Sequence, residues 1–450
     1  MIKLENSADV LSPLAGLKVF ELGIAIAAPN CGQKLASYGA DVFKLESLGN
    51  LDVVRLLGSA WAKDDPELSQ ILSDTSPYVP EMNAGKYSVG IDLKNEKGLK
   101  IALRLLAHCD VFLSNVSAAA VVRLGLDYEA VKQINPNIIY TQLPGFGSDP
   151  ELPYYRSLAW GPNQSPLVGL DSLTGFAEDP PAGVATTAPP DYMSSLHALV
   201  ATLAGLEHRD TTGKGVHVDL SQFEATVSLL GPFLLDLEVN EHEQDRIGNA
   251  SIWGAPQGVY PSCEPERWIA ITADDADSWK ILKELASPWL DSDLFHTERD
   301  RLENAQVLDQ TLSDWTSSFS SDDLTVRLQV AGVAAHIVAT NEDILNDGHV
   351  IDRGFYKMAP STRLGRDLFS GSAIRLSDAP SRFRNAAPAL GEDTREVLDK
   401  FIGMEREEFE ELLAAGIIFE MTEPESTHKR PWDDWIHILI PGFEDARDLR

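Results

Sequence analysis

Between residues 17 and 147 the chain switches repeatedly between two hydrophobic periods, and this alternation restricts the fold more than any other feature. LKVFEL (17–22) is a short apolar run, followed by the small-residue stretch AIAAPNCGQKLASYGA. DVFKLE (41–46) then alternates again and ends on an acid. Strand, helix and strand in so few residues make a βαβ unit. KYSVGIDL (86–93) reads as another strand, GLKIALRLLAHC (98–109) has helical spacing, and DVFLSN (110–115) returns to strand. A helical piece near 118–133 leads to NIIYTQL (137–143), a strand that ends in the turn PGFG. Such a sequence predicts an α/β fold with a doubly wound, mostly parallel sheet.

Beyond it, residues 148–190 are rich in Pro, Gly, Asp and Ser and read as long loops. Leu196, Leu199, Val200, Leu203 and Leu206 form a helical stripe, and that helix stops near TTGKG. VHVDLSQ (216–222) is a strand running into an apolar helix through about residue 238. The character then changes: GVYPSCEPERWIAITA suggests a hairpin, followed by helices and LQVAGVAAHIV. The expected organisation is therefore the N-terminal part of a large α/β domain over 1–215, a linker over 216–244, and a smaller α+β domain over 245–345. A second linker (346–365), a segment returning to the large domain (366–418, with helices at 394–402 and 405–416) and a C-terminal extension (419–450) complete it. The extension carries PWDDWIHILIP, a patch suited to packing on the body or a partner.

Composition excludes several function classes. With 69 acidic against 37 basic residues the net charge is −32, which opposes nucleic acid and anionic membranes. Any polyanionic ligand must be met by a local basic cluster. The three cysteines lie far apart and read as reduced thiols. No apolar run approaches the roughly 18 residues of a membrane helix, and MIKLENSADV lacks a basic segment followed by an apolar core, so a soluble cytoplasmic protein is the default expectation. His208-Arg209-Asp210 lacks the other kinase elements, TGKG is not a P-loop, and AIAAPNCGQ lacks the dinucleotide-binding glycine spacing. HExxH, CxxC and GxSxG are absent, so neither a metal nor a serine nucleophile is expected.

A distributed pattern remains. LAGLKVFELGIAIAAPNCGQKLASYGADVFKLE is followed by GNLDVVR (49–55), in which Asp52 and Arg55 fit a GD-x-x-R element. NAGKYSVGIDLKNEKG (83–98), DVFLSNVSAAAVVRLGLDYEAVKQINPNIIYTQLPGFG (110–147), GLEHRDTTGKGVHVDLSQFEA and RLSDAPSRFRNAAPALGEDTREVL come in order after it. Together these blocks, over about residues 12–418, resemble the family III coenzyme A transferases, the group that includes formyl-CoA and carnitine CoA-transferases and the α-methylacyl-CoA racemases.

The resemblance implies a CoA-transferase that moves CoA from an acyl-CoA donor to a carboxylic acid through a covalently modified aspartate. It places that carboxylate at Asp191, in APPDYMSS, where an acid ahead of an apolar helix would otherwise be read as an N-cap. A glycine is usual four residues on, where this chain has Ser195. The CoA-binding positions it implies are Ala27, Asn83, Lys86, Asn115, Val116, Ser117 and Arg123, with the turn Pro144, Gly145, Phe146 and Gly147. Lys86 and Arg123 stand out because each sits at the end of a predicted strand or in the helix after it, where ligands collect in doubly wound sheets. CoA thioester is then a substrate, with no permanently bound cofactor and no metal. Two chains are expected as an interlocked homodimer; a heteromer in which this chain supports a related subunit is the first alternative. The second is an acyl-CoA racemase, whose acid–base pair usually includes a histidine about thirty residues before the aspartate. No histidine lies between His108 and His197, which argues against it. Tyr154, Tyr155, Trp160 and Trp253 are candidates for an acyl pocket, though aromatic residues more often serve packing.

Overall fold

The computed structural model describes residues 12–57, 74, 76–184, 188–362 and 365–420; the PWDDWIHILIP patch lies outside them. The chain divides into two compact units. Of the described residues, those within 12–170, 183–242 and 348–420 form the larger, and 171–182 with 243–347 form the smaller. Residues 216–242, expected as a linker, are therefore part of the larger unit. Residues 171–182, expected in the large domain, group with the smaller one.

The larger unit is built on a seven-stranded sheet. Its strands are β1 (Lys18–Leu22), β2 (Asp41–Glu46), β3 (Tyr87–Ile91), β4 (Val111–Ser114), β5 (Ile139–Gln142), β6 (Val216–Asp219) and β10 (Ile418–Phe419), in the order β10-β3-β2-β1-β4-β5-β6. All neighbours pair in parallel except β10, which runs antiparallel to β3. The mixed α/β fold with a mainly parallel sheet is the one the alternation predicts. Strand order reverses between β1 and β4, the position where doubly wound sheets open a crevice at their carboxyl ends.

Period-two alternation sorts the strand residues between two unlike faces. Phe20, Phe43, Phe112 and Tyr140 lie on one, packed with Ile101, Leu105 and Leu398 from covering helices. Val19, Val42, Val111 and Ile139 lie on the other, against Ala27, Ala28, Cys31, Leu35 and Ala198. The second face is covered by α1 (Ala27–Ser37), and small side chains let that helix lie close to the sheet. Gly32 marks the closest approach: a Cβ there would fall 1.9 Å from Glu21 Oε2, in the buried middle of β1.

Four further helices of this unit matter for the site. These are α2 (Val53–Leu56), α3 (Tyr78–Asn83), α4 (Gly161–Leu167) and α5 (Pro189–Thr212). Helix α4 lies in the segment read as loops. In α5 the leucine stripe is not the main packing face. Ser194, Ser195, Ala198, Thr202 and Gly205 are the buried positions, whereas Leu196, Val200 and Leu203 are exposed. Thr202 Oγ1 meets Thr141 Oγ1 of β5 at 2.8 Å, and Gly205 faces the Ile139 and Val216 side chains. The helix ends at Gly213 in the left-handed conformation, which satisfies its last carbonyls.

The smaller unit carries an antiparallel sheet of β7 (Gln257–Pro261), β8 (Trp268–Thr272) and β9 (Ala334–Ile337). Its own core includes Tyr260, Ile269, Ile271, Trp279, Leu312 and Trp315. The first two strands are the expected hairpin. No described helix is long and apolar enough to cross a membrane.

Candidate active site

Asp191 is not the N-cap of α5. That position is Ala188, which adopts left-handed backbone (φ 43°) and makes no side-chain cap bond. Pro189 and Pro190 fill the first helical positions, where a missing N–H costs nothing, and place Asp191 third. The residue is only 9% exposed. Its carboxylate lies against two backbone amides, its own and that of Ala27, the first residue of α1. Burial pushes its pKa up to about 6, and those two donors hold it from rising further. A carboxylate so placed is anionic at neutral pH and poorly solvated, a suitable state for a nucleophile.

Space beside the carboxylate comes from Gly161, at the start of α4. A Cβ there would lie 3.1 Å from Asp191 Oδ2 and 3.1 Å from Ala188 Cβ. Helix α4 is anchored by Gln164, whose amide donates to Gln222 Oε1 at 3.1 Å, while Gln222 donates to Leu143 O at 2.7 Å. Ser195 causes no crowding. Its side chain is buried and donates to Asn30 Oδ1 of α1 at 3.0 Å, joining the two helices whose first turns meet at Asp191.

A cavity of about 730 Å³ opens at the carboxyl ends of β1 to β4, next to the point where strand order reverses. Gly23 and Ile24 form part of its wall, so the loop from 23 to 27 runs from the cavity to Asp191. Lys94 and Arg123 are exposed cations among its lining, and neither forms an ion pair among the described residues. They are the exposed positive charges in a lining that also carries Asp92 and Glu96, and a polyanion on an acidic chain needs such charges.

The expected CoA-binding residues fall into three groups. Val116 and Arg123 line the cavity, and Ser117 starts the helix that carries Arg123. Ala27 lies beside Asp191 instead, with its backbone amide facing the carboxylate.

The second group is structural. Lys86 was expected at a phosphate but is completely buried; its ammonium lies 2.7 Å from Glu21 Oε2 and donates to Pro29 O at 2.8 Å and Asn83 Oδ1 at 3.1 Å. Burial brings its pKa down to about 8 despite the Glu21 partner. With all three donors used, Lys86 has nothing to offer a ligand. Asn83 is equally buried; its Oδ1 is taken by Lys86, while its Nδ2 has no hydrogen-bond partner among the described residues. Asn115 is also engaged: its side chain accepts from Ile24 N at 2.9 Å and donates to Ile24 O at 2.7 Å. Arg55, from the GD-x-x-R element, is buried between Glu46 and Asp74.

The third group is the turn after β5. Pro144 and Gly145 carbonyls accept from Gln222 N at 3.1 Å and Phe223 N at 2.9 Å, while Phe146 packs with Tyr154 and Phe223. Gly147 has φ 83°, open to glycine, and the turn is not part of the cavity wall.

Lys94 went unnoticed in the sequence although it stands in the same block as Lys86. The signal was its side of the strand: Lys94 follows β3, at the ligand-collecting end, whereas Lys86 precedes it. Among the described residues no group of three or more His, Cys, Asp or Glu side chains could hold a metal ion.

The model of CoA-transferase family III matches residues 14–394. A succinyl-CoA–D-citramalate CoA-transferase of Chloroflexus aurantiacus is 28% identical over 90% of this chain and 98% of its own length. A formyl-CoA:oxalate CoA-transferase of Streptomyces coelicolor is 29% identical over 90% and 99% respectively. Among solved structures, a CAIB/BAIF family protein from Brucella suis superposes with a TM-score of 0.77 at 28% identity, over 87% of this chain and 99% of that one. The family model spans the six parallel strands of the large sheet and position 191, and the chain belongs to CoA-transferase family III.

Proposed function

We propose that this CoA-transferase works through Asp191 as a covalent nucleophile, exchanging CoA between short carboxylic acids. The observation that carries the reading is a buried, raised-pKa carboxylate held by the Ala27 amide, one loop away from a cavity with two unpaired cations. One Asp191 oxygen attacks the donor thioester carbonyl, the C–S bond breaks, and CoA leaves as thiolate with an acyl-aspartyl anhydride behind it. The thiolate attacks the aspartyl carbonyl carbon, giving an enzyme–CoA thioester and releasing the donor acid. An acceptor carboxylate then attacks that thioester, and the returning thiolate takes the acceptor acyl group and frees Asp191. A carboxylate suits this exchange because its thioester conserves the energy of the donor bond. Burial of Asp191 keeps water from the anhydride. Lys94 and Arg123 are the side chains we assign to CoA phosphates. Short acids are the substrate class because the two relatives are named for succinyl and citramalate, and for formyl and oxalate.

Incubation with succinyl-CoA followed by hydroxylamine or borohydride tests the step, with the modification expected on the peptide containing Asp191. The Asp191→Ala variant is expected to lose at least about 10³-fold in kcat. In the wild type kcat/KM should fall below a pH of about 6, as Asp191 becomes protonated. A modified residue elsewhere, or an active Asp191→Ala enzyme, refutes the assignment.

A further inference from the structure

Four backbone groups in the three residues Gly23, Ile24 and Ala25 are each held by a side chain from another part of the sheet. Lys44, from β2, donates to Gly23 O at 2.9 Å. Asn115, just past β4, takes both the N–H and the carbonyl of Ile24. Asp52, which caps α2, accepts from Ala25 N at 2.8 Å and is paired with Lys44 at 2.8 Å. Ala25 has φ 56°, a left-handed conformation that a non-glycine residue adopts only when its surroundings hold it there. Lys44 and Asp52 are buried; Glu21 stands 3.6 Å from the Lys44 ammonium and Lys86 binds Glu21 on its other side. Strain that is over-determined by three separate side chains calls for a reason, and the reason lies two residues on. Helix α1 begins there, and its first amide, Ala27 N–H, is the one that faces Asp191.

We propose that Lys44, Asp52 and Asn115 are positioning residues for CoA transfer, bracing the turn over Gly23–Ala25 so that the Ala27 amide is aimed at the Asp191 carboxylate. None of the three is a partner of Asp191, and the inference rests on Asp191 being the nucleophile. Without the brace Ala25 relaxes to negative φ, the entry into α1 rotates, and Asp191 loses a donor that orients it. The same cluster separates two roles for Asn115. A side chain bound to CoA affects substrate affinity, whereas a brace affects turnover. The charged groups around Asp52 are Lys44, Arg55 and Lys86. The titratable neighbour of Asp191 is Tyr192, with Glu81 and Tyr78 of α3 beyond it.

The test compares wild type, Asn115→Ala and Asp52→Ala as full chains, with succinyl-CoA as donor and the acceptor acid that gives the highest wild-type turnover. Both variants are expected to lose at least about ten-fold in kcat, the lower end of the effect of removing an aimed donor. The KM for succinyl-CoA stays within about two-fold. The acid limb of kcat/KM moves to higher pH, because Asp191 has lost a hydrogen bond to its anion. Hydroxylamine trapping of the Asp191 adduct slows in parallel. A raised KM with intact kcat in Asn115→Ala overturns the brace and returns that residue to direct CoA contact. Unchanged kcat and acid limb in both variants overturn it as well. Should Asp52→Ala fail to fold with Lys44 unpaired, Asn115→Ala decides alone, since it removes no charge. Absence of the adduct from wild type refutes the nucleophile itself, and the brace with it; an adduct that forms at the wild-type rate in the variants refutes only the brace.

Discussion

Asp191 is held in a state that is useful for chemistry and unfavourable for stability. Its carboxyl is buried and its pKa lies near 6 in the folded chain against 3.8 ordinarily. The folded form therefore binds that proton more tightly than the unfolded form. The stability this gives is fully present below a pH of about 3.8 and is lost as pH rises through about 6. At pH 8 the ionised residue costs up to about 3 kcal/mol. Asp191→Asn should consequently be inactive yet more stable than wild type in urea at pH 8, with the difference gone at pH 3.5 or below. Equal stability at both pH values would show that burial is not what perturbs this acid. Such an exchange of stability for reactivity is common at active sites. Ser195 illustrates the opposite case: its departure from glycine is absorbed by a hydrogen bond to Asn30 and leaves the first turn of α5 intact.

The elements around Asp191 owe their arrangement to small residues and buried charges rather than to leucine stripes. Helix α5 presents Ser194, Ser195, Ala198, Thr202 and Gly205 inward, which allows close approach to α1 and β5. Hydrophobic periodicity points instead to Leu196, Leu199, Val200, Leu203 and Leu206, of which three are exposed. Periodicity finds a helix but does not tell its packing face when hydroxyls and glycine do the packing. Between β1, β3, α1 and α3, the ion pair of Lys86 with Glu21 performs a similar joining role. Lys86→Met leaves Glu21 buried with Lys44 alone at 3.6 Å. The expected result is a loss of about 3–5 kcal/mol in thermal or urea unfolding, with the KM of the folded enzyme for acyl-CoA unchanged. A selective rise in KM at full stability would restore Lys86 as a ligand contact.

For the whole chain, a net charge of −32 sets the background against which CoA must bind. Lys94 and Arg123 oppose that field at the cavity, where Asp92 and Glu96 also stand but neither cation forms an ion pair among the described residues. Removing either charge should raise the KM for acyl-CoA about five-fold with little change in kcat, and added salt should flatten the difference. Equal KM values at low salt would place the phosphates elsewhere. The sequence by itself determined the parallel α/β sheet, because alternating hydrophobic periods over 17–143 admit few other solutions. Its ordered motifs also determined the family and drew attention to Asp191. Only the tertiary structure decided which charged residues are free. Lys86 and Lys94 flank one strand in one motif, yet the first is consumed by Glu21 from β1 and the second faces a cavity. Pairing is a property of distance in space, set here by strands that are neighbours in the sheet and far apart in the chain, and no local pattern encodes it.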